Sequence, residues 1–379
     1  MDSQLEAAVR AVLARPVKGV MAVAGGGSRA LTWVLGVPGA SRFLLEALVP
    51  YSAAAMADFL GYAPDKHVSQ ETARAMARRA CCRALTFAGP GTDAVGVACS
   101  ATIATDRPKR GDHRCHVATF GARGLAMYSL VMHKGARDRA GEEDVVSRLV
   151  LRALVEAVGG VVEVPVPLLP GEHIDVTPDP VRPAVARLLR GEVGSVLVSA
   201  AGEVLVDAPV RGAVLPGSFN PLHEGHLKLA DVAAARLGAP VTFEISVTNV
   251  DKPPLPADEI VRRLAQFACR PVALACAPLF SEKAALYPGC TFVIGYDTAR
   301  RLFEPRYYGG STEAMARALE AVEAAGCRFL VAGRADAAGV FHTLDDITVP
   351  PRFRALLTGI PEAEFRADIS STELRSERG

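Results

Sequence analysis

The chain has 379 residues, half of them hydrophobic and 22% charged, and its 42 basic and 41 acidic side chains leave a formal net charge of +1. At about 150 residues per domain this is material for two or three packed cores, and the balanced charge, with no long basic run, speaks against a nucleic-acid partner. No apolar run reaches the roughly 18 residues of a membrane helix, and the N-terminus, with Asp2 and Glu6, lacks a signal-peptide core, so no membrane partner and a cytoplasmic location are expected.

In chain order, Gly19–Ala24 reads as a short apolar strand, followed by the turn Gly25-Gly-Gly27. Ser69–Leu85 has helical spacing, with Ser69 as N-cap. Ala94–Ala98 reads as a buried strand, and Glu142–Val158 as a helix closed by Gly159-Gly160. His113-Arg-Cys-His116 has no second ligand pair, so it reads as an ordinary strand or loop, and no protein metal site is expected. The eight cysteines include no C-x-x-C pair and read as reduced, mostly buried thiols.

Composition then shifts. Val161–Pro183 carries Pro165, Pro167, Pro170, Pro178, Pro180 and Pro183, a poor helix and a good linker. Ser195–Ser199 and Val204–Val206 alternate around a turn and predict a small hairpin. From Arg211 onward the strand candidates are Ala213–Leu215, Val241–Val247, Val272–Cys276, Thr291–Ile294 and Arg328–Val331, with helical patterns between most of them. Such alternation implies an α/β fold with a Rossmann-like, doubly wound parallel sheet and ligands at the carboxyl ends of its strands. The expected domains are 1–160, a Pro-rich linker and hairpin over 161–210, and 211–379.

The stretch Leu215-Pro-Gly-Ser-Phe-Asn-Pro-Leu-His-Glu-Gly-His226 follows the first of these strands. Gly217 would let a phosphate approach the backbone, and free N–H groups at the next helix start favour the same anion. His223 and His226, at i and i+3, emerge on one side of the first turn, with Gly225 leaving room above the backbone. Together these features predict a nucleotide triphosphate cradle.

Gly217-Ser-Phe-Asn-Pro221 with His223-Glu-Gly-His226 resembles the G-x-F-x-P…H-x-G-H signature of the nucleotidylyltransferase superfamily. Ile369-Ser-Ser-Thr-Glu-Leu-Arg375 is similar to its I-S-S-T-x-x-R segment, and Phe292-Val-Ile-Gly-Tyr-Asp-Thr298 to the I-G-x-D-T stretch of nicotinamide or nicotinate mononucleotide adenylyltransferases. The resemblance implies an enzyme that transfers AMP from ATP, with Mg2+, to a small phosphorylated acceptor and releases pyrophosphate. It implies catalytic roles for His223, His226 and Arg375. Nucleotide binding would fall to Gly217, Ser218, Phe219, Asn220, Gly225, Gly295, Asp297, Ser370, Ser371 and Thr372. Lys252 and Tyr296 are candidates for the acceptor. The attacking phosphate is already anionic, so positioning and charge stabilisation suffice without a general base.

A pyridine mononucleotide is the favoured acceptor. A phosphopantetheine-type acceptor stays open, because Leu215-Pro-Gly-Ser-Phe219 is similar to that group too, though it usually has threonine where His223 stands. So do CTP in place of ATP and a non-catalytic nucleotide-binding regulator. Mononucleotide enzymes often stack an aromatic on the pyridine. The single tryptophan, Trp33, is in the other half, which leaves Tyr296, Phe303, Tyr307 and Tyr308 as candidates.

In the first half, Val37-Pro-Gly-Ala-Ser41, Val49-Pro-Tyr-Ser52 and Val68-Ser69 resemble the nicotinamide mononucleotide deamidase (CinA C-terminal) family. The family's catalytic residues do not carry over. Its serine position falls on Ala24 in Val23-Ala-Gly-Gly-Gly-Ser28, its lysine on Met56, and its G-I-A-G-P loop becomes Ala101-Thr-Ile-Ala-Thr105. Ser28 as a displaced nucleophile lacks a base. The expectation is a non-catalytic α/β domain that scaffolds, binds a nucleotide or forms a homo-oligomer.

Overall fold

The computed structural model describes residues 1–89, 91–106, 110–248, 254–336 and 338–367. It is mixed α/β and divides into two compact units, one of residues 1–183 with 261–269 and one of 184–260 with 270–379.

The first unit runs α1 (Ser3–Leu13), β1 (Lys18–Ala24), α2 (Ser28–Leu35), β2 (Leu44–Leu48), α3 (Ala53–Leu60), α4 (Gln70–Ala88), β3 (Ala94–Thr102), β4 (His113–Gly121), β5 (Gly124–Met132), α5 (Arg139–Ala157) and β6 (Ile174–Thr177). Its sheet has the order β2-β1-β3-β4-β5-β6, parallel across the first three strands and antiparallel beyond. Period-2 alternation on β4 feeds two cores. Cys115 and Val117 pack with α1, α2 and α5, whereas Ala118 and Phe120 pack with α4. The expected helices are present. Ser69 Oγ accepts from the Thr72 N–H at 3.2 Å, and the Asp138 carboxylate caps α5, which starts at Arg139, ahead of the expected Glu142. Helix α4 lies so close to β3 that a Cβ on Gly96 would stand 2.0 Å from the Ala77 carbonyl oxygen.

Two expectations change here. The Pro-rich stretch is more than a connector: the proline-free interval Ile174–Thr177 pairs antiparallel with β5, because its N–H groups are all available. The cysteines are not all thiols. Cys82 and Cys269 form a disulfide, with Cα atoms 5.9 Å apart, which fastens the 261–269 segment within this unit. His113, at 6% exposure, is hydrogen-bonded through Nδ1 to Glu142 at 2.7 Å.

The second unit begins within α6 (Val181–Leu189) and continues with β7 (Ser195–Val198), β8 (Val204–Val206), β9 (Ala213–Gly217), α7 (Glu224–Leu237), β10 (Val241–Ser246), the start of α8 (Ala257–Ala265, assigned to the first unit from Val261 on), β11 (Val272–Ala275) and α9 (Phe280–Leu286). Then come β12 (Thr291–Gly295), α10 (Tyr296–Arg301), α11 (Thr312–Ala324), β13 (Arg328–Ala332), the short pair β14 (Arg334–Ala335) and β15 (Phe341–His342), and β16 (Leu357–Ile360). The main sheet has the order β16-β13-β12-β9-β10-β11-β7-β8. From β11 to β16 every pairing is parallel, and the predicted hairpin β7–β8 adds on antiparallel through β7. In units of this domain's own parallel strands the order is 3-2-1-4-5-6, the doubly wound arrangement whose winding reverses between the first and fourth, here β9 and β12. A crevice therefore opens at their carboxyl ends. No helix among the described residues is long and apolar enough to cross a membrane.

Candidate active site

Strand β9 ends at Gly217, and the chain turns into α7 with His223 as N-cap. Phe219 adopts φ +43° and is 1% exposed. Its ring meets Phe243 and His226 edge-on, with centroids 5.4 and 4.9 Å away. A Cβ on Gly217 would lie 2.7 Å from that ring. The glycine is thus required by the Phe219 wedge, and Phe219 braces His226 from inside the core.

His223 and His226 do emerge together, with rings stacked at 3.6 Å and 26°. The His223 N–H donates to His226 Nδ1 at 3.3 Å, which leaves the His226 proton on Nε2 and makes that atom the available donor. His223 is 8% exposed, and its Nδ1 is buried without a hydrogen-bond partner among the described residues. Burial lowers the pKa of both, and for His226 the neighbouring His223 adds to it, taking that ring down to about 3. Both imidazoles are neutral near pH 7 before an anion arrives.

They line a cleft of about 300 Å3 with Gly225, Gly295, Tyr296, Asp297 and Thr298. Gly295 has open space where a Cβ would be. Tyr296 stacks on His342 at 5.2 Å, and Asp297 pairs with Arg334. A second cavity of about 450 Å3 shares Pro216 and Thr298 with the first and adds Ser218, Phe280, Lys283, Arg301, Tyr307 and Tyr308. The structure thus brings His223, Gly225, His226, Gly295, Tyr296 and Asp297 to one cleft, and puts Gly217 and Ser218 on the neighbouring one. Lys252, Ser370, Ser371, Thr372 and Arg375 lie outside the described residues. Phe303 packs against the core.

Sequence reasoning missed Lys283, which pairs with the fully buried Glu244 through both carboxylate oxygens at 2.7 Å. A signal existed. Glu244 stands inside the apolar strand Val241–Ser246, and a carboxylate there requires a buried cation.

In the first unit, Ala24 and Met56 line one cavity of about 250 Å3, together with Tyr51, His67 and Ser100. Ser100 Oγ donates to the His67 carbonyl, and Ser28 Oγ donates to Glu143 at 2.9 Å. Glu143 also accepts from the N–H groups of Gly27 and Arg29, at 3.1 and 3.2 Å.

Residues 214–377 match the family model described as cytidylyltransferase-like. Over those residues the chain is similar to the nucleotidylyltransferase superfamily, in line with its motifs. The N-terminal part is similar to solved CinA-family structures. One is the competence/damage inducible protein CihA from Agrobacterium tumefaciens, at 19% identity and TM-score 0.34, covering 42% of this chain and 96% of that one. A CinA superfamily protein from Klebsiella pneumoniae 700603 gives 18%, 0.34, 42% and 99% in the same order. One from Escherichia coli gives 19%, 0.31, 40% and 86%. Among curated proteins there is no match.

Proposed function

We propose that the second unit is an adenylyltransferase that joins AMP from ATP to the phosphate of a pyridine mononucleotide. The observation that supports it best is the pair of adjoining cavities at the switch point, which share Pro216 and Thr298, with His223 and His226 lining one of them. Transfer needs two anionic substrates side by side. The ATP phosphates occupy the histidine cleft, and the acceptor takes the larger cavity with Tyr307 and Tyr308 as its aromatic walls.

An acceptor phosphate oxygen attacks the α-phosphorus, the bond to the bridging oxygen breaks, and pyrophosphate leaves with the electron pair. His226 donates from Nε2 to the phosphoryl oxygens as charge builds there. His223 offers its ring, whose Nδ1 has no hydrogen-bond partner among the described residues, to the same anion. By the superfamily resemblance, Ser370, Ser371, Thr372 and Arg375 hold the leaving phosphates, with Arg375 as the fork. Among the described residues no group of three or more His, Cys, Asp or Glu is placed to hold a metal. Magnesium, which the triphosphate would bring with it, would neutralise charge on the phosphate oxygens.

The first unit is proposed to be without amidase activity. Its cavity has Ala24 and Met56 where a nucleophile and a base would be needed, and Ser28 is engaged by Glu143. The test is pyrophosphate release from ATP, and separately from CTP, with magnesium and each of nicotinamide mononucleotide, nicotinate mononucleotide and phosphopantetheine. Turnover with ATP and a pyridine mononucleotide is expected. Turnover with phosphopantetheine alone moves the acceptor, and nucleotide binding without any turnover refutes the enzyme.

A further inference from the structure

In the first unit, Arg74 on α4 and Arg114 on β4 are half-buried, and each has a buried Nε without a hydrogen-bond partner among the described residues. Neither guanidinium has an ion-pair partner there. Strand β4 alternates, so Arg114 and His116 share the face on which Ala118 and Phe120 pack with α4. Gln70 and Arg78, one turn before and after Arg74, touch Ser129 at 3.0 Å and the Phe120 ring at 4.5 Å, which sets Arg74 over the same face. The charges act on one another. Burial pushes the pKa of Arg78 down to about 10 and the Arg74 charge adds to the fall, opposed by Asp179; burial and then Arg114 lower that of His116. Glu71, the carboxylate that acts on Arg74 and His116, is exposed and forms no ion pair with either.

The histidine is held as a donor. Gln70 Nε2 donates to Ser129 Oγ, and that hydroxyl, on a residue 7% exposed, finds His116 Nδ1 as its acceptor at 2.9 Å. The relay puts the imidazole proton on Nε2. Two guanidinium forks and one N–H donor thus share a partly buried face on which the fold provides no matching anion, an arrangement that costs stability until a ligand supplies one. A single carboxylate would balance one arginine. A phosphoryl dianion balances both and has oxygens enough for all three donors. We propose that Arg74, Arg114 and His116 form an anion site in the first unit that takes a phosphoryl group, either as free phosphate or pyrophosphate or as the phosphate of a nucleotide. The site borders the cavity of Ala24 and Met56 through Ser100, the β3 register partner of His116, but none of its three donors lines that cavity. It gives a domain without amidase chemistry a binding role that does not depend on the transfer reaction.

The experiment titrates the full-length protein calorimetrically with inorganic phosphate, pyrophosphate and nicotinamide mononucleotide, beside Arg74→Gln and Arg114→Gln. Each variant is expected to weaken one saturable binding step by about tenfold or more, the worth of a charged hydrogen bond, and to spare any step at the histidine cleft of the second unit. A variant-sensitive step with phosphate or pyrophosphate identifies the free anion as ligand, and one with the mononucleotide alone identifies a nucleotide's phosphate; both support the site. Thermal unfolding separates a binding role from a structural one. With the site empty, Arg114→Gln should leave the midpoint of the first unit unchanged or higher, and in saturating ligand it should fall below that of the unmodified protein. Arginines that only brace the fold would lower it equally in both conditions, and that result overturns the proposal. So does the lack of a saturable step with all three ligands, or a step that both folded variants leave unmoved.

Discussion

Each unit contains a strand, a glycine-bearing turn and a helix, and the two treat the helix start in opposite ways. After β1, the turn Gly25–Gly27 leads into α2, whose first N–H groups and Ser28 hydroxyl are taken by the Glu143 carboxylate. After β9, the turn leads into α7, whose start carries the stacked pair His223 and His226 on the wall of a cleft. A helix start attracts an anion through its unsatisfied donors and its dipole. Where the chain supplies that anion itself, the position is closed to a substrate. The same supersecondary unit thus makes a sealed joint in one domain and a candidate site in the other, and the difference lies in a few side chains rather than in the fold.

The largest break in this comparison should come from His226→Ala. Loss of one donor to developing charge costs about 10^2–10^3 in turnover, so pyrophosphate release should fall by that factor, beyond the stability lost with the His223 N–H to Nδ1 bond and the ring contacts. Equal losses of nucleotide affinity and turnover would instead make the histidines binding groups only. Next comes Gly217→Ala. The new methyl meets the Phe219 ring, and overpacking of this kind costs about 1–3 kcal/mol. Denaturant unfolding should show that loss, and activity should drop because Phe219 braces His226.

Opening the sealed joint is a smaller effect. Glu143→Ala removes the acceptor for two backbone donors and the hydroxyls of Ser28 and Ser147, comparable to losing a helix cap, about 1–2 kcal/mol. It should lower the first unit's stability without producing ammonia from nicotinamide mononucleotide. Ammonia release by this variant would make Glu143 a plug on a working amidase.

The smallest effect near neutrality is the pH dependence of His226. Unfolded, its pKa is near the ordinary value of about 6.5; folded, it is held at about 3. Above about 6.5 the ring is neutral in both states and contributes nothing. As pH falls from there towards 3, the unfolded chain takes up the proton and the folded one does not, so stability declines, by up to about 1.4 kcal/mol per pH unit. His226→Gln should flatten that decline in thermal unfolding between pH 7 and 5. A triphosphate stabilises the imidazolium, so its binding should take up a proton and tighten as pH falls.

Much of this was legible from residue order. Ser69 caps α4 as its spacing predicts, five strands of the second unit lie where apolar runs stand, and the i, i+3 histidines share the first turn of one helix. What escaped was long-range. Glu244 and Lys283 are 39 residues apart, and although a carboxylate inside an apolar strand asks for a cation, nothing local names Lys283 until β10 and α9 meet. Cys82 and Cys269 are separated by 187 residues, with no spacing motif to link them. Gly217 has a packing role that a local reading cannot see, because the Phe219 ring folds back over it. β6 hid among prolines because its pairing strand, not its own composition, makes it a strand.

The most direct test incubates the full-length protein with ATP, magnesium and nicotinamide mononucleotide and follows pyrophosphate and ammonia in the same sample. Pyrophosphate formation without ammonia is the predicted result, with the second unit turning over and the first silent. Ammonia without pyrophosphate would contradict the account, placing the chemistry in the domain whose helix start is sealed.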